Sequence, residues 1–359
     1  MINQMQSFVE TLSRYPSQAK LLSRKDFVEK WSVGDPLYCG HDVAWWIHNG
    51  DYAPSAEILK TLDQAIGKVI DIPGMSTKLK ALRDDPAWTW GHLIEVFFTS
   101  ALVDAGAEFT LPESGADVEL MMGSQALALE ITSLRRARWF PRLHERLGML
   151  GERLGVEFDY TYQATTHEFF DERTTWSDAL RHVLESLTAQ IGDDMHAGLA
   201  SGTASVSEYG FSTHWQRVQE SRWTAGDVSR HPNELAGATL VMEAVRRKAR
   251  QIPRGRAVCV LVDATNDEAG HVAAIPGRID TIDWSEHCYD IPEEVKHVIV
   301  CGFSMKSGRP GLIAHLERPD SPFPSPAGLE ELIGELFKAQ PPPSWWNDLP
   351  DLATEEYWA

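Results

Sequence analysis

Cysteine is scarce in this chain. Four residues in 359, Cys39, Cys259, Cys288 and Cys301, are too few for a disulfide scaffold, and none forms a C-x-x-C pair, which excludes a zinc ribbon. Cys259 and Cys301 fall in apolar runs and are expected to be buried free thiols, which suits a reducing compartment. Long hydrophobic runs are missing too. The clearest, Ala257–Val262 and Val298–Val300, are far short of the roughly 20 residues that span a membrane. The opening Met-Ile-Asn-Gln-Met-Gln has no basic segment leading into an apolar one, so no signal peptide is expected. The expectation is a soluble cytoplasmic protein that makes no use of a membrane.

Positive charge is in deficit. Lys plus Arg number 33 against 52 Asp plus Glu, a net charge of −19, and this excludes a uniformly basic nucleic-acid coat protein. Contact with a polyanion would need a local basic patch or a metal ion. The common catalytic signatures are absent: there is no Walker A loop, no G-x-G-x-x-G after a strand, no H-E-x-x-H and no G-x-S-x-G, and the thirteen histidines are scattered.

What is present is ordinary globular composition, 43% apolar and 24% charged, which excludes general disorder and allows about two domains. Residues 1–85 read as a helical region, with Phe8, Leu12, Leu22, Phe27 and Trp31, and later Ile58, Leu62, Ile66 and Val69, spaced as helix faces. Within it Trp45, Trp46 and Tyr52 form either core or a docking surface. An α/β core is expected over 86–310, with an inserted segment at about 155–230. Gly91–Ala105 is a strong helix, with Ile94, Phe97, Phe98, Ala101 and Leu102 on one face. Asp117–Met122 and Gln125–Thr132 read as strands. Leu235–Arg250 reads as a helix leading into the buried strand Ala257–Asp263, and His297–Phe303 as a second buried strand. Residues 311–359 form an acidic tail with Gln340-Pro-Pro-Pro343 and Trp345-Trp346. The N-terminal region and this tail are candidates for specificity or a homodimer contact.

The chemistry concentrates in 115–132. Gly123-Ser124 suits a two-residue type II′ turn, which requires Gly first. That turn pairs Leu120 with Leu127 and Val118 with Leu129 on one apolar face. It also sets Asp117 against Glu130, a destabilising juxtaposition unless something compensates it. A divalent cation would compensate, since Mg²⁺ accepts one or two carboxylates and keeps several waters. The alternative is a hairpin face on which both acids are merely hydrated. Glu95 borders the apolar face of the preceding helix and is placed to approach the sheet.

The order of these residues, Glu95 on a helix, Gly115-Ala-Asp117 on the next strand and Glu130-Ile-Thr132 on the one after, resembles the PD-(D/E)xK, or restriction-endonuclease-like, nuclease superfamily. The resemblance covers about residues 88–135 and extends to the later helix with Lys248-Ala-Arg-Gln251. It implies a restriction-endonuclease-like core, a central mixed four-stranded β-sheet flanked by helices. It implies Asp117 and Glu130 as ligands of Mg²⁺ or Mn²⁺, with Glu95 in support directly or through water, and metal-assisted phosphodiester hydrolysis, of DNA in preference to RNA, with defence or restriction as the context the family suggests. The sequence departs from the pattern at Thr132, where the family has lysine. Lys248, or Arg135 or Arg136, would then supply the missing charge, and Gln251 would orient the lysine or a phosphate from the same helix face. Two stretches relieve the global charge locally. Residues 134–153, with Arg135, Arg136 and Arg138, carry a net of +4, and residues 242–256 a net of +5. Arg135, Arg136, Arg138 and Gln251 are the candidate nucleic-acid contacts, with Trp139 and Phe140 available to stack on a base. Without a compensating charge, the implied alternative is an inactive nuclease-like fold that binds nucleic acid or a protein partner. A sugar hydrolase needs its two acids ~5–9.5 Å apart across a cleft, wider than a hairpin pair sets them.

Overall fold

The computed structural model describes residues 2–86, 89–134, 140–163, 176–209, 211–218, 224–229, 236–248, 251–265, 291–304 and 307–338. The chain begins with helices α1 (Ile2–Ser13), α2 (Pro16–Leu22), α3 (Lys25–Trp31), α4 (Asp42–His48), α5 (Ala53–Val69), α6 (Met75–Asp84) and α7 (Thr89–Asp104). Strands β1 (Phe109–Thr110), β2 (Val118–Met122) and β3 (Gln125–Ser133) follow. Next come α8 (Phe140–Leu154), β4 (Val156–Gln163), α9 (Trp176–His196), β5 (Ser201–Val206), β6 (Phe211–Arg217) and β7 (Thr224–Ser229). The last elements are α10 (Ala236–Lys248), β8 (Val258–Asp263), β9 (Val295–Phe303), β10 (Pro310–Glu317) and α11 (Leu329–Leu336). Two compact units divide the chain, one of Met1–Val33, Asp42–Arg135 and Leu235–Ala359, the other of Gly34–His41 and Arg136–Glu234.

The first unit is an α/β fold around a mixed sheet of six strands, where four were expected, in the order β1-β2-β3-β8-β9-β10. Strands β3, β8 and β9 run parallel, and β1, β2 and β10 pair antiparallel at the edges. Strands β8 and β9 are buried along their whole length, and β8 is a near-continuous apolar run, as suits a strand covered on both faces. On one face Ala128, Val258, Val260, Val262, Val298 and Val300 pack with Val241 and Val245 of α10. The opposite face meets α7, where Phe97 stacks on Phe303 with ring centroids 6.4 Å apart, and the Trp90 indole donates to the buried Asp263 carboxylate at 3.0 Å. Cys259 and Cys301 are buried free thiols, as expected. Helix α7 also carries α5 and α6, which ties the N-terminal helices to the sheet. Trp45 and Trp46 are core residues of α4, so the docking-surface alternative is set aside for this pair.

The hairpin forms in the expected register, Val118 with Leu129, Leu120 with Leu127 and Met122 with Gln125. Gly123 has φ 63°, and among the described residues no non-glycine has positive φ. A type I′ turn, which needs positive φ at Ser124 as well, is thereby excluded in favour of the expected type II′. Two readings depart from expectation. Residues 311–336, read as part of an acidic tail, supply all of β10 after Pro310 and the whole of α11 to the first unit. The apolar run in Gly311–Leu316 was too short, and too interrupted by His315, to register as a strand by pattern alone. Helix α10 is described as far as Lys248, and its expected end at Arg250 lies outside the described residues; Gln251 lies in a turn and not on the helix face of Lys248. Residues 339–359, including the proline run and Trp345-Trp346, lie outside the described residues.

The second unit has its own four-stranded sheet, β5-β6-β4-β7, with β4 parallel to β7 and antiparallel to β6. Leu143, Leu147, Leu150, Leu184, Leu187, Phe158 and Trp215 form its core, completed by Leu37. Arg153 clasps Asp35 through two hydrogen bonds of 2.5 and 2.8 Å, and the buried Arg146 donates to the Cys39 carbonyl. The expected insertion at about 155–230 falls within this unit. No helix among the described residues is long and apolar enough to cross a membrane.

Gly74 opens α6 with φ 88°, and a Cβ there would stand 2.5 Å from the Leu111 carbonyl oxygen. Both the left-handed backbone and the lack of space exclude a side chain. Gly74→Ala is expected to cost about 2 kcal/mol or more in denaturant unfolding. A change below ~0.5 kcal/mol would show that α6 is free to shift away from Leu111.

Candidate active site

Strand pairing ends at Val118–Leu129, one residue short of the two acids. Asp117 does not continue the ladder with its backbone. Its side chain takes over, and Oδ2 accepts the Ile131 N–H at 2.8 Å. That bond anchors the carboxylate to β3 beside Glu130. On β3 the alternation that sends Leu127, Leu129 and Ile131 to the α7 side sends Ala128, Glu130 and Thr132 to the α10 side. The small Ala128 lets α10 approach closely.

Helix α10 supplies the compensating charge. Val241, Ala244 and Val245 are buried, and Lys248 follows them at i+7, i+4 and i+3, so it ends the same stripe that packs on the sheet. Its Nζ donates to Asp117 Oδ2 at 2.9 Å and to Glu130 Oε2 at 3.1 Å. A cation in the last turn also suits the negative end of the helix dipole.

Lys78 is a second ammonium at the site. It sits on α6 between Met75, Leu79 and Leu82, which are buried. Its Nζ donates to Glu95 Oε2 at 2.7 Å and stands 3.8 Å from Asp117 Oδ1. The five side chains thus form a row of alternating charge: Glu95, Lys78, Asp117, Lys248, Glu130. Glu130 is the floor of this row, its side chain only 1% exposed, whereas the other four are 16–20% exposed.

Burial pushes the Glu130 carboxyl up to about 7, and the charge of Asp117 adds to this against the pull of Lys248. Burial alone would also raise Asp117. Lys248, Lys78 and the Ile131 N–H outweigh it together and hold Asp117 below the usual carboxylate range. Burial likewise opposes the charge on Lys248, but Asp117 and Glu130 prevail and raise its pKa above the ordinary lysine value. Lys248 is therefore a fixed cation and not a neutral nucleophile at physiological pH.

The structure brings together Asp117, Glu130 and Lys248 as the sequence suggested, and joins Glu95 to them through Lys78. Lys78 itself was missed. Its signal was a lysine at a stripe position, three residues after Met75 and four before Leu82. Arg135, Arg136 and Arg138 lie outside the described residues. In the rest of the first basic stretch, Arg146 is interior and thus no solvated phosphate contact, and the exposed Arg153 is paired with Asp35. In the second stretch, Arg247 donates to the Ser133 carbonyl and Arg256 pairs with Glu119 at 2.6 Å. Gln251 is exposed.

Among the described residues no three His, Cys, Asp or Glu side chains are gathered around a point that would hold a metal ion. The pair Asp117 and Glu130 does fit a cation that needs only two protein carboxylates. Glu130 Oε1 is buried and has no hydrogen-bond partner, and such an oxygen is costly unless something occupies it. Comparison with protein-family models, curated proteins and solved structures returned no match.

Glu130 also makes stability depend on pH. The folded chain keeps its proton up to about pH 7, whereas the unfolded chain loses it near 4.5. Stability from that proton is fully present below the unfolded value and is lost as pH rises through the folded one. Glu130→Gln, which cannot ionise, is expected to be more stable than wild type at pH 8, by at most about 3 kcal/mol, with the gap closing toward pH 4.5. Denaturant unfolding at several pH values measures it, and parallel curves for the two proteins would contradict the buried proton.

Proposed function

We propose that this protein is a metal-dependent nuclease that hydrolyses phosphodiester bonds, of DNA in preference to RNA, on a restriction-endonuclease-like core. The observation that carries the reading is Lys248 set between Asp117 and Glu130, at the end of two adjacent strands, with Glu130 Oε1 buried and unsatisfied beside it. Asp117 and Glu130 would hold Mg²⁺ or Mn²⁺. When bound, such an ion lowers the pKa of water and neutralises charge on a phosphate. The chain's own residues do the rest. Ile131 N–H fixes the Asp117 carboxylate, and Lys248 keeps the two acids together despite their repulsion. The ammonium of Lys248, fixed between those acids, would stabilise charge developing on a phosphate held beside them. This lysine arrives from a helix 118 residues beyond Glu130 and stands in for the charge that Thr132 lacks.

A second reading is an inactive nuclease-like fold that binds nucleic acid or a protein partner. It is favoured by the same row of charges, because two ammoniums already neutralise most of the three carboxylates.

Calorimetric titration of Mn²⁺, followed by a plasmid cleavage assay in Mg²⁺, decides between the readings. Asp117→Ala and Glu130→Ala are each expected to remove metal binding and to slow cleavage roughly a hundred-fold or more without unfolding the chain. Lys248→Met is expected to slow cleavage to a similar degree. Wild-type protein that binds Mn²⁺ but cuts no DNA or RNA would favour the second reading. Cleavage that survives loss of either acid would dismiss this site.

A further inference from the structure

Lys78 differs from Lys248 in what it has left to offer. Lys248 already donates to two carboxylates. Among the described residues, Lys78 makes one hydrogen bond, to Glu95, and its 3.8 Å approach to Asp117 Oδ1 is beyond hydrogen-bond range. An ammonium has three donors, so two of them are available to a ligand. The location matters as much as the number. Asp117 Oδ2 is taken by Ile131 and Lys248, which leaves Oδ1 as the oxygen a ligand would meet, and Lys78 faces Oδ1. Anything seated there touches Lys78. The Lys78 side chain is 16% exposed against 1% for Glu130, so part of it meets solvent.

Charge balance points the same way. With the three carboxylates ionised and both lysines charged, the row carries one net negative charge. A divalent cation would make that one positive, the complement of a phosphodiester monoanion. Without Lys78, the loaded site would repel no anion but would attract none either.

We propose that Lys78, held in place by Glu95, is a phosphate-binding residue of this site, and that Glu95 is its holder and not a metal ligand. The inference rests on the nuclease reading for its substrate. Glu95 accepts the Lys78 hydrogen bond and restrains a long flexible side chain that would otherwise lose entropy on meeting substrate. The helical N-terminal segment thereby contributes directly to the chemistry of the sheet.

The test is fluorescence anisotropy of the full-length protein with a labelled DNA duplex in Ca²⁺, over a range of salt concentrations. Lys78→Gln keeps a hydrogen bond to Glu95 and removes the charge. It is expected to weaken duplex binding ten-fold or more and to reduce the salt dependence by about one phosphate contact. Lys78→Arg is expected to retain most of the affinity, and Glu95→Gln to weaken it while leaving Mn²⁺ binding, measured by calorimetry, within about two-fold of wild type. Thermal melts confirm that each variant is folded, and Lys78→Arg provides the comparison if Lys78→Gln is not. Duplex affinity and salt slope unchanged in Lys78→Gln would overturn the proposal, as would loss of Mn²⁺ binding in Glu95→Gln, which would return Glu95 to the metal. Failure of the nuclease reading looks different. If wild type cuts DNA, Asp117→Ala does not, and Lys78→Gln binds and cuts like wild type, the nuclease reading stands and only the role of Lys78 falls. If wild type binds no duplex and cuts nothing, both fall.

Discussion

Two carboxylates placed side by side at the end of a β-hairpin repel each other, and the local architecture answers that repulsion. Lys248 bridges Asp117 and Glu130, Ile131 pins one oxygen of Asp117, and Lys78 faces the other. If the ammonium of Lys248 were taken away, Glu130 would keep its proton to still higher pH and the pair would no longer be a pair of charges. The bridge requires α10 to end on the sheet beside β3. The apolar stripe of Val241, Ala244 and Val245 guarantees this by burying itself against the valines of β8.

Placement of the other lysine follows a similar logic on different elements. Helix α6 packs on α7, and α7 packs on β3, so Lys78, Glu95 and Asp117 come together through two successive helix contacts. Gly74 sets the start of α6 by allowing it to close on the Leu111 backbone. A helical segment that reads as an accessory region is in this way part of the site's construction. The second unit, built from Gly34–His41 and Arg136–Glu234, has a core and a sheet of its own. It is inserted between β3, which carries Glu130, and α10, which carries Lys248. The long separation of those two residues along the chain is therefore a consequence of topology.

Much of the site was legible because hairpins and amphipathic helices are local. Gly123-Ser124 dictated the turn, the turn dictated the register, and the register put Asp117 next to Glu130. The buried strands β8 and β9 announced themselves as apolar runs, and α7 through its periodicity. What was misread was also local in origin. The run in Gly311–Leu316 was too short to separate a strand from the acidic stretch around it. Arg146 looked like solvated positive charge because composition cannot distinguish an exposed guanidinium from one buried against a backbone carbonyl.

By itself the sequence determined the chemistry available: a strained pair of acids, a nearby third, and a deficit of positive charge that some cation must offset. These depend on residue order and on the period-two geometry of a strand, which a short segment enforces alone. Only the tertiary structure decided which cations offset it. Lys78 and Lys248 lie 39 and 131 residues from Asp117, on helices whose approach depends on the packing of whole apolar faces. A lysine side chain is long and flexible, and its own neighbours in sequence say where its helix lies but not what its ammonium will meet. That is settled when burial of the helix stripe fixes the one end of the side chain and the carboxylates of another element capture the other.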